Sequence, residues 1–190
     1  METAQLHAAA RCNDVAAATA LLDANASVDA RTQLGASALH FAALSGSLDV
    51  LALLLARGAA PDATEASEQT PLHAAALSVS PAAALALLAA GAAPAPCDDD
   101  GDTPLHDAAR WERLELLQAL LSAGAPVDAV NCAGWSPLMC AAAYGRAQAV
   151  AALLRAGASR QLQTEDGRTA LALAKGDCVR RLLGRTEDAE

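Results

Sequence analysis

Aromatic residues are nearly missing from this chain of 190 residues, which has one Phe, one Tyr and two Trp and is 2% aromatic although 54% hydrophobic. The apolar content is therefore mostly Ala and Leu, which are helix formers, and β-branched residues are scarce. That balance disfavours a sheet-built fold and predicts an all-α one. Lysine occurs once, at Lys175, and the formal net charge is -9. Without clustered Lys and Arg there is no footprint for phosphates, so nucleic acid is not expected as a partner. The five cysteines, Cys12, Cys97, Cys132, Cys140 and Cys178, are odd in number and form no C-x-x-C pair. A disulfide framework or structural zinc site is not expected, and reduced thiols fit a cytoplasmic or nuclear protein. Met1 to Gln5 lack the basic and apolar regions of a secretory signal. The uncharged stretch 70–97 approaches membrane-span length, but Ser78, Ser80, Pro81, Gly91, Pro94 and Pro96 break it, so no membrane span is expected.

What is present is a period. Leu6, Leu39, Leu72, Leu105, Leu138 and Leu171 are spaced by 33 residues each time. In the same register follow small pairs (Ala9-Ala10, Ala42-Ala43, Ala75-Ala76, Ala108-Ala109, Ala141-Ala142), then leucine pairs (Leu21-Leu22, Leu54-Leu55, Leu87-Leu88, Leu120-Leu121, Leu153-Leu154). A further column, Asn25, Gly58, Gly91, Gly124 and Gly157, suits helix ends in the left-handed conformation. Thr70-Pro71 and Thr103-Pro104 read as an N-cap with Pro at the first helical position. Ser47 and Ser80-Pro81 read as caps of a second helix whose leucine pair faces inward. Polar stretches such as 128–135, with Gly134 for a tight turn, complete a unit of helix, turn, helix and β-hairpin.

Thr-Pro-Leu-His at 70–73 and 103–106, each followed by x-Ala-Ala, resembles the ankyrin repeat, whose period is 33. Ser136-Pro137-Leu138-Met139 and Ser37-Ala38-Leu39-His40 are near matches, and Gly-Ala at 58–59, 91–92, 124–125 and 157–158 matches the helix-ending pair. The resemblance covers Leu6 to Leu183. It implies an all-α repeat solenoid, an ankyrin-type stack of helix-turn-helix units joined by β-hairpin loops. Six units fall at about 1–28, 29–61, 62–94, 95–127, 128–160 and 161–183, a single domain followed by a polar tail at 184–190 that is expected to fray. Three departures carry expectations of their own. Polar Arg11, Asn13 and Asp14 suit an N-terminal cap. Leu182-Leu183 arrive four residues early, which predicts a shortened second helix or inter-helix turn. Glu68 stands where Gly35, Gly101, Gly134 and Gly167 mark the other hairpins, so that tip is expected to bend differently.

His7, His40, His73 and His106 occupy one column. Catalysis or metal binding needs unlike groups converging on one point, so these rings are read as hydrogen-bonded to backbone near the helix starts. Asp98-Asp99-Asp100-Gly101-Asp102 superficially resembles a calcium loop but lacks the alternating ligand spacing and closing Glu. It reads as a solvated turn, or as an acidic finger toward a basic partner. No nucleophile elbow, phosphate loop or carboxylate pair interrupts the repeats. No catalytic residue, metal or cofactor is therefore expected.

The resemblance implies recognition of a partner protein on the concave face, formed by hairpin tips and the exposed side of the first helices. Trp111 and Tyr144 belong to the column Cys12, Ser45, Ser78, Trp111, Tyr144 on that side, and Trp135 follows a hairpin glycine beside it. Asp102, Arg110 and Arg168 are expected to flank them. Trp, Tyr and Arg dominate binding hot spots, so these six residues are the candidate partner-binding site, with packing of Trp111 and Trp135 against neighbouring hairpins as the plainer alternative. The expected function is an adaptor or scaffold for a partner with a basic surface. The alternatives are a stoichiometric inhibitor or assembly chaperone of one target and, remotely, an enzyme or small-ligand binder. A monomer is expected, with self-association through the uncharged third unit as a lesser alternative.

Overall fold

The computed structural model describes residues 2–78 and 80–184, except the side chain of Glu2. Twelve helices are present among them, falling into two compact units, 1–99 and 100–190. The first holds α1 (Glu2–Cys12), α2 (Val15–Asp23), α3 (Ala38–Ser45), α4 (Leu48–Ala56), α5 (Pro71–Leu77) and α6 (Ala82–Ala89). The second holds α7 (Pro104–Arg110), α8 (Leu114–Ser122), α9 (Pro137–Ala143), α10 (Ala147–Arg155), α11 (Ala170–Leu173) and α12 (Asp177–Gly184). Gly184 thus closes α12, and the rest of the expected tail lies outside the described residues.

Helices pair along the chain, and like packs against like from repeat to repeat: α1 on α3 on α5 and α2 on α4 on α6 in the first unit, α7 on α9 on α11 and α8 on α10 on α12 in the second. The alanine pairs are buried wherever first helices meet, since a methyl side chain lets two helix axes approach closely. Leu6, Leu39, Leu72, Leu105 and Leu138 are wholly buried, but Leu171 is 46% exposed. Four of the five leucine pairs split as well, Leu21 and Leu22 both being half-buried. Leu54, Leu87, Leu120 and Leu153 enter the core, while their neighbours Leu55, Leu88, Leu121 and Leu154 stay half-buried, because adjacent helical positions diverge by about 100°. The core is completed one turn earlier by Val50, Leu51, Leu116, Leu117 and Val150.

In the last repeat the shortening falls on the first helix rather than on the second. α11 has four residues where α9 has seven, and α12 keeps eight. Ser47, expected to cap a second helix, makes no side-chain cap and instead donates to the Arg11 carbonyl at 3.4 Å. Asp14 supplies a cap at the start of α2, accepting from Ala17 N at 2.9 Å. α6 exposes a single large apolar side chain, Leu85.

The loops expected as β-hairpins are closed by turn hydrogen bonds such as Asn131 N to Trp135 O at 3.0 Å, with isolated bridges at Arg31–Ser37 and Gln163–Thr169. Successive tips are tied by Ala66 N to Leu34 O at 2.8 Å, Cys132 N to Asp100 O at 2.9 Å and Glu165 N to Ala133 O at 3.3 Å. That close approach explains Gly101, where a Cβ would lie 2.8 Å from Cys132 N. Carboxylates staple the following turns: Asp29 accepts from Ala60 N at 3.1 Å, Asp62 from Ala93 N at 2.9 Å and Asp128 from Ser159 N at 2.9 Å. Glu68 does not bend its tip differently. It adopts φ 58, in the same left-handed region as Gly134 at φ 73, and donates to Glu65 O at 3.0 Å as Gly134 does to Asn131 O at 2.9 Å.

Candidate protein-binding cleft

The histidine column works as a set of struts. His40 Nδ1 accepts from Ser37 N at 3.2 Å, which leaves Nε2 as the donor to Gln69 O at 3.1 Å. His106 repeats this, accepting from Thr103 N at 3.0 Å and reaching Trp135 O at 3.0 Å. Each ring therefore joins the start of one first helix to the next loop. Burial holds His40 below its ordinary pKa, only partly offset by the Gln69 carbonyl.

The His106 strut matters because of what its loop carries. Asn131 Oδ1 accepts from Ala133 N at 3.0 Å and from Trp135 N at 2.9 Å, folding the tip into a compact turn. Trp135 is thereby pinned at both its N–H and its carbonyl. It lines a cleft of about 460 Å³ together with Arg110, Trp111, Asn131, Ala133, Cys140 and Tyr144. Trp111 and Tyr144 close α7 and α9, and their rings meet at 6.4 Å between centroids with a tilt of 43°. Both remain about half exposed, at 45% and 48%.

The floor is ionic. Arg110 binds Asp102 through Nη2 and Asp107 through Nη1, the latter at 2.9 Å. Asn131 Nδ2 donates to the other oxygen of Asp102 at 2.8 Å. Burial works against the Arg110 charge, but the Asp102 hydrogen bond and the two carboxylate charges outweigh it and hold its pKa above the ordinary guanidinium value. Beside it, burial pushes the Cys140 thiol up to about 12, so at neutral pH this group is an uncharged neighbour of Arg110 at 4.0 Å.

Of the six residues expected at the site, Arg110, Trp111, Trp135 and Tyr144 line the cleft together. Asp102 is not in the lining; it is 6% exposed and binds Arg110 and Asn131. Arg168 is on the next loop, outside the lining, with its guanidinium on Asp166 at 2.7 Å. Sequence reasoning passed over Asn131, Ala133, Cys140 and the second carboxylate, Asp107. Asp107 and Cys140 share one column 33 residues apart, the available signal that both face the tips. In the stretch Asp98 to Asp102, Asp98 accepts from Gln69 Nε2 at 3.3 Å, and no group of three or more His, Cys, Asp or Glu side chains that could hold a metal occurs among the described residues.

Models of ankyrin repeats in three or more copies match residues 53–131, 113–190 and 21–75, and the single ankyrin repeat matches 6–33. The chain belongs to the ankyrin repeat family. Ankyrin repeats form a protein–protein interaction module, and their fold is typically non-catalytic. Among proteins of curated function none matches this one. Among solved structures, the immunity protein Bd3460, in complex with the predatory endopeptidase Bd0816 from Bdellovibrio bacteriovorus, is similar. It is 26% identical with a TM-score of 0.84, covering 94% of this chain and 96% of that one. The fold recurs in 525 solved chains, so by itself it points to no particular partner. No helix among the described residues is long and apolar enough to cross a membrane.

Proposed function

We propose that this ankyrin protein is a non-catalytic module that holds a partner protein at the cleft between α7, α9 and the 131–135 loop. The observation that carries the reading is the convergence of Trp111, Trp135 and Tyr144 on one cleft in a chain with only four Phe, Tyr and Trp residues. Aromatic anchors of this kind concentrate binding energy, with truncation costing roughly 2 kcal/mol or more. Helices, struts and a turn hold them in place, so little conformational entropy is lost on binding. Arg168, on the adjacent loop, would sit at the rim. The partner surface is basic in this reading, and the acidity that attracts it is uneven. Residues 1–99 carry ten acidic and three basic side chains, whereas 100–190 carry twelve and ten. Long-range attraction therefore comes chiefly from the first half.

Capture from extracts of the source cells with the wild-type chain and the Trp111→Ala and Tyr144→Ala variants tests the site. Loss of a specific partner on either substitution, with helix content retained, is the expected result; undiminished capture would sink the reading.

As an adaptor or scaffold the chain would retain two or more partners at once. A second reading, a stoichiometric inhibitor of one target, is favoured by its likeness to an immunity protein found in complex with an endopeptidase. The same capture separates them: an inhibitor retains one main partner, whose activity falls to zero at a one-to-one ratio.

A further inference from the structure

We infer that the cleft seats an extended, proline-bearing segment of the partner, its rings against Trp111, Trp135 and Tyr144 and its carbonyls met by their N–H and O–H groups. This rests on the cleft being the partner-binding site and names the chemistry of its guest.

Three observations converge on it. The first is the shape of the lining, which is aromatic rather than aliphatic: its only aliphatic side chain is the methyl of Ala133. Trp111 and Tyr144 meet at a tilt of 43° and stay about half exposed, so flat ring surface is open to a guest. Aromatic-lined grooves of this kind dock proline-rich segments in the polyproline II conformation.

The second is the hydrogen-bonding capacity left in the lining. Asn131 spends Oδ1 on Ala133 N and Trp135 N, and Nδ2 on Asp102. The carbonyls of Arg110, Asn131, Ala133, Trp135 and Cys140 each already accept a hydrogen bond within the chain. By contrast, the indole N–H groups of Trp111 and Trp135 and the Tyr144 hydroxyl have no hydrogen-bond partner among the described residues. An indole can only donate. The cleft therefore offers donors and few acceptors, and proline is the residue that brings a carbonyl without an N–H. A polyproline II backbone makes no internal hydrogen bonds, so its carbonyls are available. An ordinary extended strand would leave N–H groups unmatched on the same surface.

The third is charge. Arg110 is the only charged side chain in the lining, and its Nη1 and Nη2 are on Asp107 and Asp102. The Arg146 guanidinium is turned onto the Arg110 carbonyl, and the Cys140 thiol is uncharged at neutral pH. With its one cation already paired, the cleft calls for no charged anchor. A preformed polyproline II segment also loses little freedom on meeting a lining held in place.

The only two tryptophans of the chain, Trp111 and Trp135, both line the cleft, so indole signals report its occupancy directly. The probes are acetylated and amidated peptides: Gly-Pro-Pro-Ala-Pro-Pro-Gly, its analogue with valine for every proline, and Gly-Ser peptides of the same length with a central Arg or Glu. Each is titrated into the full chain while tryptophan emission and the two indole N–H resonances are followed. Saturable shifts of both resonances are expected with the proline peptide at millimolar concentration, about tenfold weaker binding with valine, and the weakest with Arg and Glu. Added salt should leave the proline peptide unchanged. Tyr144→Phe keeps the ring and removes one donor. With helix content verified by circular dichroism, that variant should bind the proline peptide about threefold more weakly.

Valine binding as tightly as proline would make the cleft merely apolar, and tightest binding of the Arg or Glu peptide would make it a seat for a charged anchor. Either result overturns the inference, as does unchanged affinity in Tyr144→Phe or the absence of any shift with the proline peptide up to about 10 mM. If partner capture needs Trp111 and Tyr144 but the proline peptide does not rank first, the binding site stands and the proline guest falls. If capture ignores both aromatics, the binding-site reading itself falls.

Discussion

Glu112 caps a helix that is not its own: its Oε1 accepts from Gln148 N at 3.0 Å, in the first turn of α10. α10 has no side-chain cap from its own Arg146. Asn13 does the same in the first unit, accepting from Val50 N at 3.1 Å, where Ser47 likewise gives α4 no side-chain cap. Both capping residues adopt left-handed backbone, φ 54 at Glu112 and φ 55 at Asn13, where the equivalent positions Gly46 and Gly145 are glycines. Backbone strain in one repeat is thus offset by a capped helix in the next.

Substitution at Glu112 should separate those two effects. Glu112→Ala removes the cap and keeps the strain, which should destabilise the chain by about 1 kcal/mol. Glu112→Gly removes both and should cost less than Ala. Urea unfolding of the two variants checks the order; an Ala variant as stable as wild type would remove the cap from the account.

Glu68 has the strain without a comparable return among its described hydrogen bonds. Its φ of 58 costs an L-residue about 1 kcal/mol, partly regained in the unfolded chain by avoiding glycine's extra entropy. Glu68→Gly should therefore stabilise the chain by a few tenths of a kcal/mol, up to about 1, and raise the urea midpoint accordingly. A fall in the midpoint would mean that its side chain stabilises the loop.

Arg110 separates two buried carboxylates, and removing it exposes what it balances. Arg110→Met leaves Asp102 and Asp107 side by side without their cation and should cost about 3 kcal/mol near neutral pH. Denaturant unfolding of variant and wild type near neutral pH reads the difference.

His40 sets a pH trend in the wild type. Its folded pKa lies below the ordinary value of 6.5, so the unfolded chain binds the proton more readily. The stability it supports is present in full above about pH 6.5 and is lost as the pH falls through the folded value. Protonation would also end the acceptor role of Nδ1 toward Ser37 N. Unfolding midpoints between about pH 8 and pH 5 should fall less steeply in His40→Gln than in wild type.

Much of the repeat was legible because its signals are local. Thr103-Pro104 starts α7 and the glycines at 58, 91, 124 and 157 follow second helices, each through backbone preferences within a few residues. The fates of Leu171, Glu68 and the last helix pair were not, because they depend on what lies alongside. Leu171 repeats the buried column in sequence but sits on the truncated α11, in the last helix pair of its unit.

The candidate site divides along the same line. The period of 33 residues by itself determined that Trp111 and Tyr144 fall in one column and that the four histidines occupy equivalent positions at the starts of first helices. Only the tertiary structure decided that Arg110 turns its donors onto Asp102 and Asp107, that His106 pins the loop bearing Trp135, and that Asn131, Ala133 and Cys140 complete the cleft. A column states which residues are equivalent. Which of them touch depends on side-chain direction and on neighbours a repeat away, and so on packing that no single unit encodes.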